Sequence, residues 1–373
     1  MDFSNALNGR STNSGLIEGA TVGARIYYAT LVNNGTIGSA GTALEFGYSG
    51  NFYNESGAIV RGGMAAVRQS SVYPGSGGSL LSNAGLIIGD VDFGSGGGGM
   101  PSSNMFVARP SGMLDGDLNL GSDNDTLVTN FVNDGPGQFA GVSGTVTGNG
   151  SENLRYIIDG TFATDVGRTG IFRRMGYDLV TGSSLTLSAS SMPADTLTFA
   201  GQGSVDLNAD MAASLSDPLI RLNTASYVTD AEGLAIANAV TLVSHGTLSK
   251  TMTDPFAFGA PLIAVSGENS FENAGTITAT GTQYYRLTAI AGGGTIINSG
   301  TIEISRADAF NGSFYSAYDK TTVINSGTIR EATGGDGTAR GIINANTLVN
   351  SGTIDMGNTA VAYDYLVYGA TLT

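Results

Sequence analysis

His245 is the only histidine of the chain, and it directly follows Ser244 in the stretch VSHGTL. A serine nucleophile needs an imidazole base, oriented in turn by a carboxylate. Sequence neighbours in a turn diverge, and no Gly-x-Ser-x-Gly elbow frames a serine. His245 therefore reads as an exposed turn residue. The stretch GDLNLGSDNDTLV gathers Asp115, Asp117, Asp123 and Asp125. Its core, Gly121-Ser122-Asp123-Asn124-Asp125-Thr126-Leu127, partly matches the calcium-binding nonapeptide of parallel β-rolls, with Asp123 standing where a glycine belongs. Such ions sit between consecutive copies, and the match occurs once. Asp123 and Asp125 are weak metal candidates beside the simpler reading of solvated turn carboxylates.

Hydrolysis of a glycosidic bond asks for two carboxylates ~5–9.5 Å apart, supplied here from adjacent turns. Glu303 and Asp355 lie in regular repeats, and the sequence does not line them up as a recurring column. A lyase would want a basic residue, for which Arg173 and Arg174 are candidates. The absence of cysteine excludes thiol catalysis, thiolate metal sites and disulfides. These residues define no catalytic set and no cofactor site.

Whatever chemistry there is must be positioned by a repeat. TIINSGTIEI, TVINSGTIRE and TLVNSGTIDM share one phrase, apolar–Asn–x–Gly–x–Ile/Leu. Its clear copies are Asn13/Gly15, Asn33/Gly35, Asn83/Gly85, Asn273/Gly275, Asn298/Gly300, Asn325/Gly327 and Asn350/Gly352. NESGAI, ending its bend at Gly57, and VSHGTL, with Ser244 in the asparagine position before Gly246, are variants. Neighbouring glycines are separated by as little as 35 − 15 = 20 and as much as 275 − 246 = 29 residues. A unit of that length is the mark of a solenoid.

Each unit divides into three short apolar pieces rich in Thr, Ile and Val, too short for helices and suited to strands. Gly327-Thr328-Ile329, Ala339 to Asn344 and Thr347-Leu348-Val349 are the three pieces of one turn. The expected fold is all-β, a parallel β-helix with three strands per turn and about 20–30 residues in each. Ile302, Ile329 and Ile354 are expected to stack in its core. Asn and Gly sit at the bend, where positive φ suits both, and the asparagines can form a hydrogen-bonded ladder. About fifteen turns at ~4.8 Å each would give a rod on the order of 70 Å long.

Three regions follow: regular repeats over 1–100 ending in a Gly-rich loop, irregular turns with longer loops over 101–240, and regular repeats over 241–373. GSGGGGMPSS, Gly94 to Ser103, is expected to be a mobile loop, and a short helix is expected near Asp230 to Ala237. In the middle region Leu185-Thr186-Leu187, Thr196 to Phe199 and Ser204 to Leu207 alternate as half-buried strands do. The chain ends in YGATLT where a further asparagine is due, so the expectation is a piece of a longer solenoid. Aromatic doublets, Tyr27-Tyr28, Tyr284-Tyr285 and Phe314-Tyr315, with Tyr363 and Tyr365, recur in one strand, each expected to point one ring inward and one outward.

Sixteen Lys and Arg stand against 31 Asp and Glu, a formal net charge of −15. That balance repels phosphate backbones and argues against nucleic acid as a partner. MDFSNALNGR carries neither the basic cluster nor the apolar core of a secretory signal. No run reaches the ~18 apolar residues of a membrane helix.

The VNSGTI units, with GDLNLGSDNDTLV between groups of them, resemble the passenger domains of Gram-negative autotransporters, the type V secretion proteins. The resemblance covers roughly residues 11 to 92 and 241 to 373. It implies a right-handed β-helix at the cell surface or released from it, attached to the outer membrane through a C-terminal β-barrel that is absent from this chain. It also implies a role in adhesion or presentation, with a host or cell-surface glycan or protein as partner. The lack of cysteine suits passage through a narrow pore. Polysaccharide-degrading β-helices, including tailspike-like ones, are the alternative.

Overall fold

Pieces this short cannot repay helix nucleation, and Thr, Ile and Val pack well on a pleated surface. In the computed structural model of the chain every described element is accordingly a strand. The strands pair in parallel, coil upon coil, through about 11 turns of a β-solenoid. The structure describes residues 1–4, 9–47, 49–70, 78–94, 103–121, 124–132, 138–165, 172–189, 195–213, 217–222, 238–252, 260–282, 287–311, 321–333, 339–343, 345–357, 367–368 and 371–372. The turns are fewer than the fifteen expected. Two compact units are present, one of Met1–Ile157 with Arg168–Met175 and one of Ile158–Gly167 with Gly176–Thr373.

In the first unit Thr30–Asn33, Thr36–Ser39 and Thr42–Phe46 make one coil. Each pairs with its counterpart in the coils on either side, which builds three ladders. Alternation sends one side-chain column of each ladder inward. Leu31, Phe52, Leu81, Phe106, Leu127 and Leu154 are fully buried in the first ladder, and Ile37, Val60, Ile87 and Leu114 in the second. The second unit repeats the plan. Its second ladder stacks Ile277, Ile302, Ile329 and Ile354 in register, the first three buried and the last half-buried.

The bends carry two side-chain columns. Asn13, Asn33, Asn54 and Asn83 lie one above another, each Nδ2 donating to the next Oδ1 at 2.8, 2.9 and 2.9 Å. Asn273, Asn298, Asn325 and Asn350 do the same at 2.8, 2.7 and 2.7 Å. Asn54, in the variant bend NESGAI, is a full member of the first column, and Ala108 stands at the next register position after Asn83.

Gly57, in the variant bend NESGAI, takes the positive φ expected of these bends, at 81°, while most of the motif glycines have a different role. None of Gly35, Gly85, Gly275, Gly300, Gly327 and Gly352 has positive φ. A Cβ on Gly300 would instead collide with the carbonyl oxygen of Gly275, and Gly275, Gly327 and Gly352 each meet the preceding glycine's carbonyl likewise. Those carbonyls accept the coil-to-coil bonds Thr276 N–H to Gly246, Thr301 N–H to Gly275 and Thr328 N–H to Gly300, at 3.1, 2.9 and 2.9 Å. Close backbone approach is what demands glycine here.

Ser244 takes the asparagine position one coil before Asn273 and is too short to reach it. Ser244 Oγ and Asn273 Oδ1 are both buried without a hydrogen-bond partner. Ser244→Asn is therefore expected to stabilise the chain by about 1 kcal/mol, through one new ladder bond and a relieved acceptor. Its own Oδ1 can turn to the Gly246 N–H, as Asn13 Oδ1 turns to Gly15 N–H at 3.1 Å. Denaturant unfolding checks this, and an unchanged or lower midpoint contradicts it.

In the middle region the expected short strands are fused. Leu185–Leu187 lies in the strand Phe172–Ala189, and both later segments lie in Thr196–Ala209. The front of Thr196–Ala209 pairs with Ile220–Leu222 and its back with Thr241–Ser244, and Gly201 at φ 88° marks the bend between the two paired halves. The helix expected at 230–237, most of the Gly-rich loop, and the aromatics at 284–285, 314–315, 363 and 365 lie outside the described residues. Tyr27 and Tyr28 are described, and neither points inward. Ala24 and Ile26 fill the core, Tyr27 faces out, and Tyr28 leaves the strand at φ 49° with 58% of its surface exposed.

Candidate functional site

The acids and bases singled out in the sequence are dispersed. His245 is exposed with Nε2 4.0 Å from Asp206 Oδ1, while its neighbour Ser244 is buried. Arg173 and Arg174 are half-buried in the strand Phe172–Ala189. Glu303 and Asp355 do share one column, two coils apart, with Arg330 between them. Arg330 Nε and Nη2 donate to Glu303 Oε2 at 3.0 and 2.6 Å, so that column is an ion pair and not an acid pair.

Asp123 lies outside the described residues, and Asp125 is fully buried, not solvated. It precedes its strand in the register position also held by Ser79, Asn104 and Glu152, all buried. Its Oδ1 accepts Asn104 N–H at 2.6 Å, and Asn104 Oδ1 in turn accepts Ser79 N–H at 3.0 Å. Asp125 thus takes a backbone donor of the coil before it, and Glu152 takes the N–H groups of Asn149 and Gly150 at 2.8 and 2.7 Å, which is why carboxylates can be buried there. Among the described residues no three of His, Cys, Asp and Glu are grouped to hold a metal ion.

Polar groups do converge on the outer face of the third ladder in the first unit. Register aligns Asp2, Arg25, Glu45, Arg68, Asp92, Asn119 and Thr147 in a single outward column. Arg25 Nε donates to Glu45 Oε1 at 3.0 Å, and Arg68 Nε and Nη2 donate to Oε2 at 3.0 and 2.6 Å. Glu45 is thereby nearly buried between two half-exposed guanidinium groups. Its hydrogen bond raises the Arg25 pKa, with burial pulling the other way.

Farther along, Asn119 Nδ2 donates to Asp92 Oδ1 at 2.7 Å. Asp90 Oδ1 accepts Asp117 N–H at 3.0 Å and Asp117 Oδ1 accepts Thr145 N–H at 2.7 Å. Met64, Ala65 and Val91 join Asp90, Asp92, Asp117, Asn119 and Thr147 around an open groove of about 380 Å³. At the other end of the column Tyr27 lies across Gly47, where a Cβ would collide with ring atoms Cδ1 and Cε1. Charge counting along the chain misses this face, because register over loops of unequal length brings it together. The Tyr27-Tyr28 doublet was its one visible sign.

The second unit buries Lys250 at 1% exposure, in a column that continues through Ala279 and Ile304 to Glu331. Its ammonium donates to the carbonyls of Asp217 and Ala260 at 3.1 and 2.7 Å, tying together the entries to two successive strands. Burial pushes its pKa down to about 8 from 10.5, against a smaller upward pull from Asp217. The unfolded chain binds more protons between those values, so stability should rise as pH climbs from about 8 towards 10.5. Below pH 8 the penalty of charging the buried amine is present in full. Relative to Lys250→Met, the parent should gain stability as pH rises from about 8 towards 10.5. Parallel pH profiles of urea unfolding contradict this assignment.

Comparison with protein-family models, with curated proteins and with solved structures finds no match to this chain.

Proposed function

We propose that this chain is a non-catalytic β-solenoid standing outside a Gram-negative cell, in the manner of an autotransporter passenger, for adhesion or for presenting another segment. The observation that carries the reading is the use of the repeated polar residues. The asparagines bond to asparagines, and the glycines admit the backbone of the next coil. A repeat devoted to coil-to-coil bonding spends its recurring asparagines and glycines on holding successive coils together. The net charge of −15 suits a soluble surface. Attachment to the outer membrane, in this reading, comes through a β-barrel elsewhere in the full-length protein. Antibodies raised against the chain should label intact cells of the organism that encodes it. Labelling only after lysis overturns the reading.

One observation favours a glycan-cleaving enzyme instead. Asp90 and Asp117, on successive coils, line the groove of about 380 Å³. Sustained turnover of any glycan in a panel of neutral and acidic polymers, abolished by Asp117→Asn, would establish that alternative.

A further inference from the structure

We propose that the outer face of the second ladder in the first unit pairs with the same face of a second copy of this chain, the two first units lying side by side and running in the same direction. The pairing goes beyond the display reading and does not depend on it. Leu16, Thr36, Ile59, Leu86 and Met113 are register partners on five successive coils, next to the core residues Ile37, Val60, Ile87 and Leu114. Their column points outward, with Leu16 62% and Met113 46% exposed and Ile59 and Leu86 half-buried. The equivalent outward column of the second unit is Thr247, Thr276, Thr301, Thr328 and Thr353. Threonine serves this place on five successive coils there, so the fold does not require the four apolar side chains of the first unit. An apolar stripe kept against water marks a contact surface.

The flanks of the stripe select the partner. On one side the bend residues Asn34, Glu55, Ala84 and Arg109 stack, each N–H bonded to the carbonyl of the asparagine one coil back. On the other side Glu18, Gly38, Arg61, Ile88 and Asp115 form the next outward column of the ladder. Within one chain Arg61 lies 3.5 Å from Glu18 and Arg109 3.4 Å from Glu55, solvated pairs that hold weakly alone.

A two-fold axis along the apolar column sets each flank against the opposite flank of the second copy, coil for coil. Arg61 then meets Glu55 of the second copy and Asp115 meets its Arg109, with the reciprocal pairs on the far side. Between those levels Ile88 falls opposite Ala84. A two-fold axis across the column would instead set Arg61 on Arg61 and Glu18 on Asp115, so the charges choose the co-directional arrangement. Five coils at ~4.8 Å each make a strip on the order of 20 Å long, short for a permanent interface. Association in the micromolar range is therefore expected. The net charge of −15 on each chain opposes it. At ~0.15 M salt that repulsion is screened beyond about 8 Å, and the touching pairs outlast it.

Sedimentation equilibrium of the full chain in ~0.15 M salt, from about 1 to about 500 μM, should show monomer and dimer in exchange. Arg61→Glu and Glu55→Arg should each weaken dimerisation at least about tenfold while the melting temperature holds, since both side chains are solvated. Mixed in equal amounts, the two variants should regain a one-to-one dimer, because each brings the charge that the other now meets. Leu86→Thr, which places the second unit's residue in the stripe, should also weaken the dimer. A parent that stays monomeric across the range, charge variants or Leu86→Thr that dimerise like the parent, or a folded mixture that fails to associate, overturns the proposal.

Discussion

Gly300→Ala is expected to destabilise its coil by on the order of 4 kcal/mol, although it adds a single methyl group. The added Cβ would sit inside the carbonyl oxygen of Gly275, which already accepts the Thr301 N–H at 2.9 Å. Backbone lies on both sides of the collision, so no flexible side chain can swing away. Coils must part locally, and the bonds of Ser299 and Gly300 N–H to the Asn273 carbonyl, both 2.9 Å, weaken with them. Hydrogen exchange followed by mass spectrometry should show the strands Gly294–Asn298 and Thr301–Ser305 exchanging faster by roughly three orders of magnitude. Gly15→Ala is the matched control, because its Cβ meets nothing within 4 Å. A Gly300→Ala protein as protected as the control would show that the bend does not press backbone on backbone.

Asn298→Ala is the second large effect, expected at about 3 kcal/mol. Asn298 is 1% exposed and takes part in two ladder bonds, accepting from Asn273 at 2.8 Å and donating to Asn325 at 2.7 Å. Alanine leaves a buried donor on one side and a buried acceptor on the other, and unmade bonds cost more than made ones contribute. Asn298→Asp separates this from loss of bulk. The carboxylate keeps the acceptor for Asn273 but faces Asn325 Oδ1 with another oxygen and brings a buried charge. Its loss should match or exceed that of alanine at pH 7 and shrink on acidification, as the protonated acid regains a donor. Urea unfolding of the two variants from pH 7 downward reads this directly. An aspartate variant as stable as the parent at pH 7 would mean that the amide hydrogens carry no bond along the column.

The solenoid was legible because its period is carried by the residues of one bend. Asn-x-Gly recurs at most of the bends in the first and last parts of the chain, and the three short strands between those bends can be read from Thr, Ile and Val. The reason for the glycine was misread, since sequence shows a residue without a side chain and not the carbonyl of the coil beneath it. Asp125 was taken as solvated for a similar reason, as its partner Asn104 is one coil away. The column Arg25–Glu45–Arg68 was invisible because loops of unequal length hide which charges meet. Residue offsets along the first asparagine column run 20, 21 and 29, so no fixed count carries one outward residue to its neighbour. Glu303 and Asp355 illustrate the same limit, since their shared column appears only once Arg330 is placed between them.

All of these arguments require equivalent residues of successive bends to lie one layer apart, and a cysteine-free chain offers a clean test. Thr301, Thr328 and Thr353 are register partners on successive coils and none is buried. Neighbours at about 4.8 Å are within disulfide reach, and residues two layers apart, at about 10 Å, are not. The double substitution Thr301→Cys with Thr328→Cys should oxidise to completion under mild conditions, and Thr301→Cys with Thr353→Cys should stay reduced. Failure of the first pair to close, or equal closure of the second, would contradict the stacking of these coils.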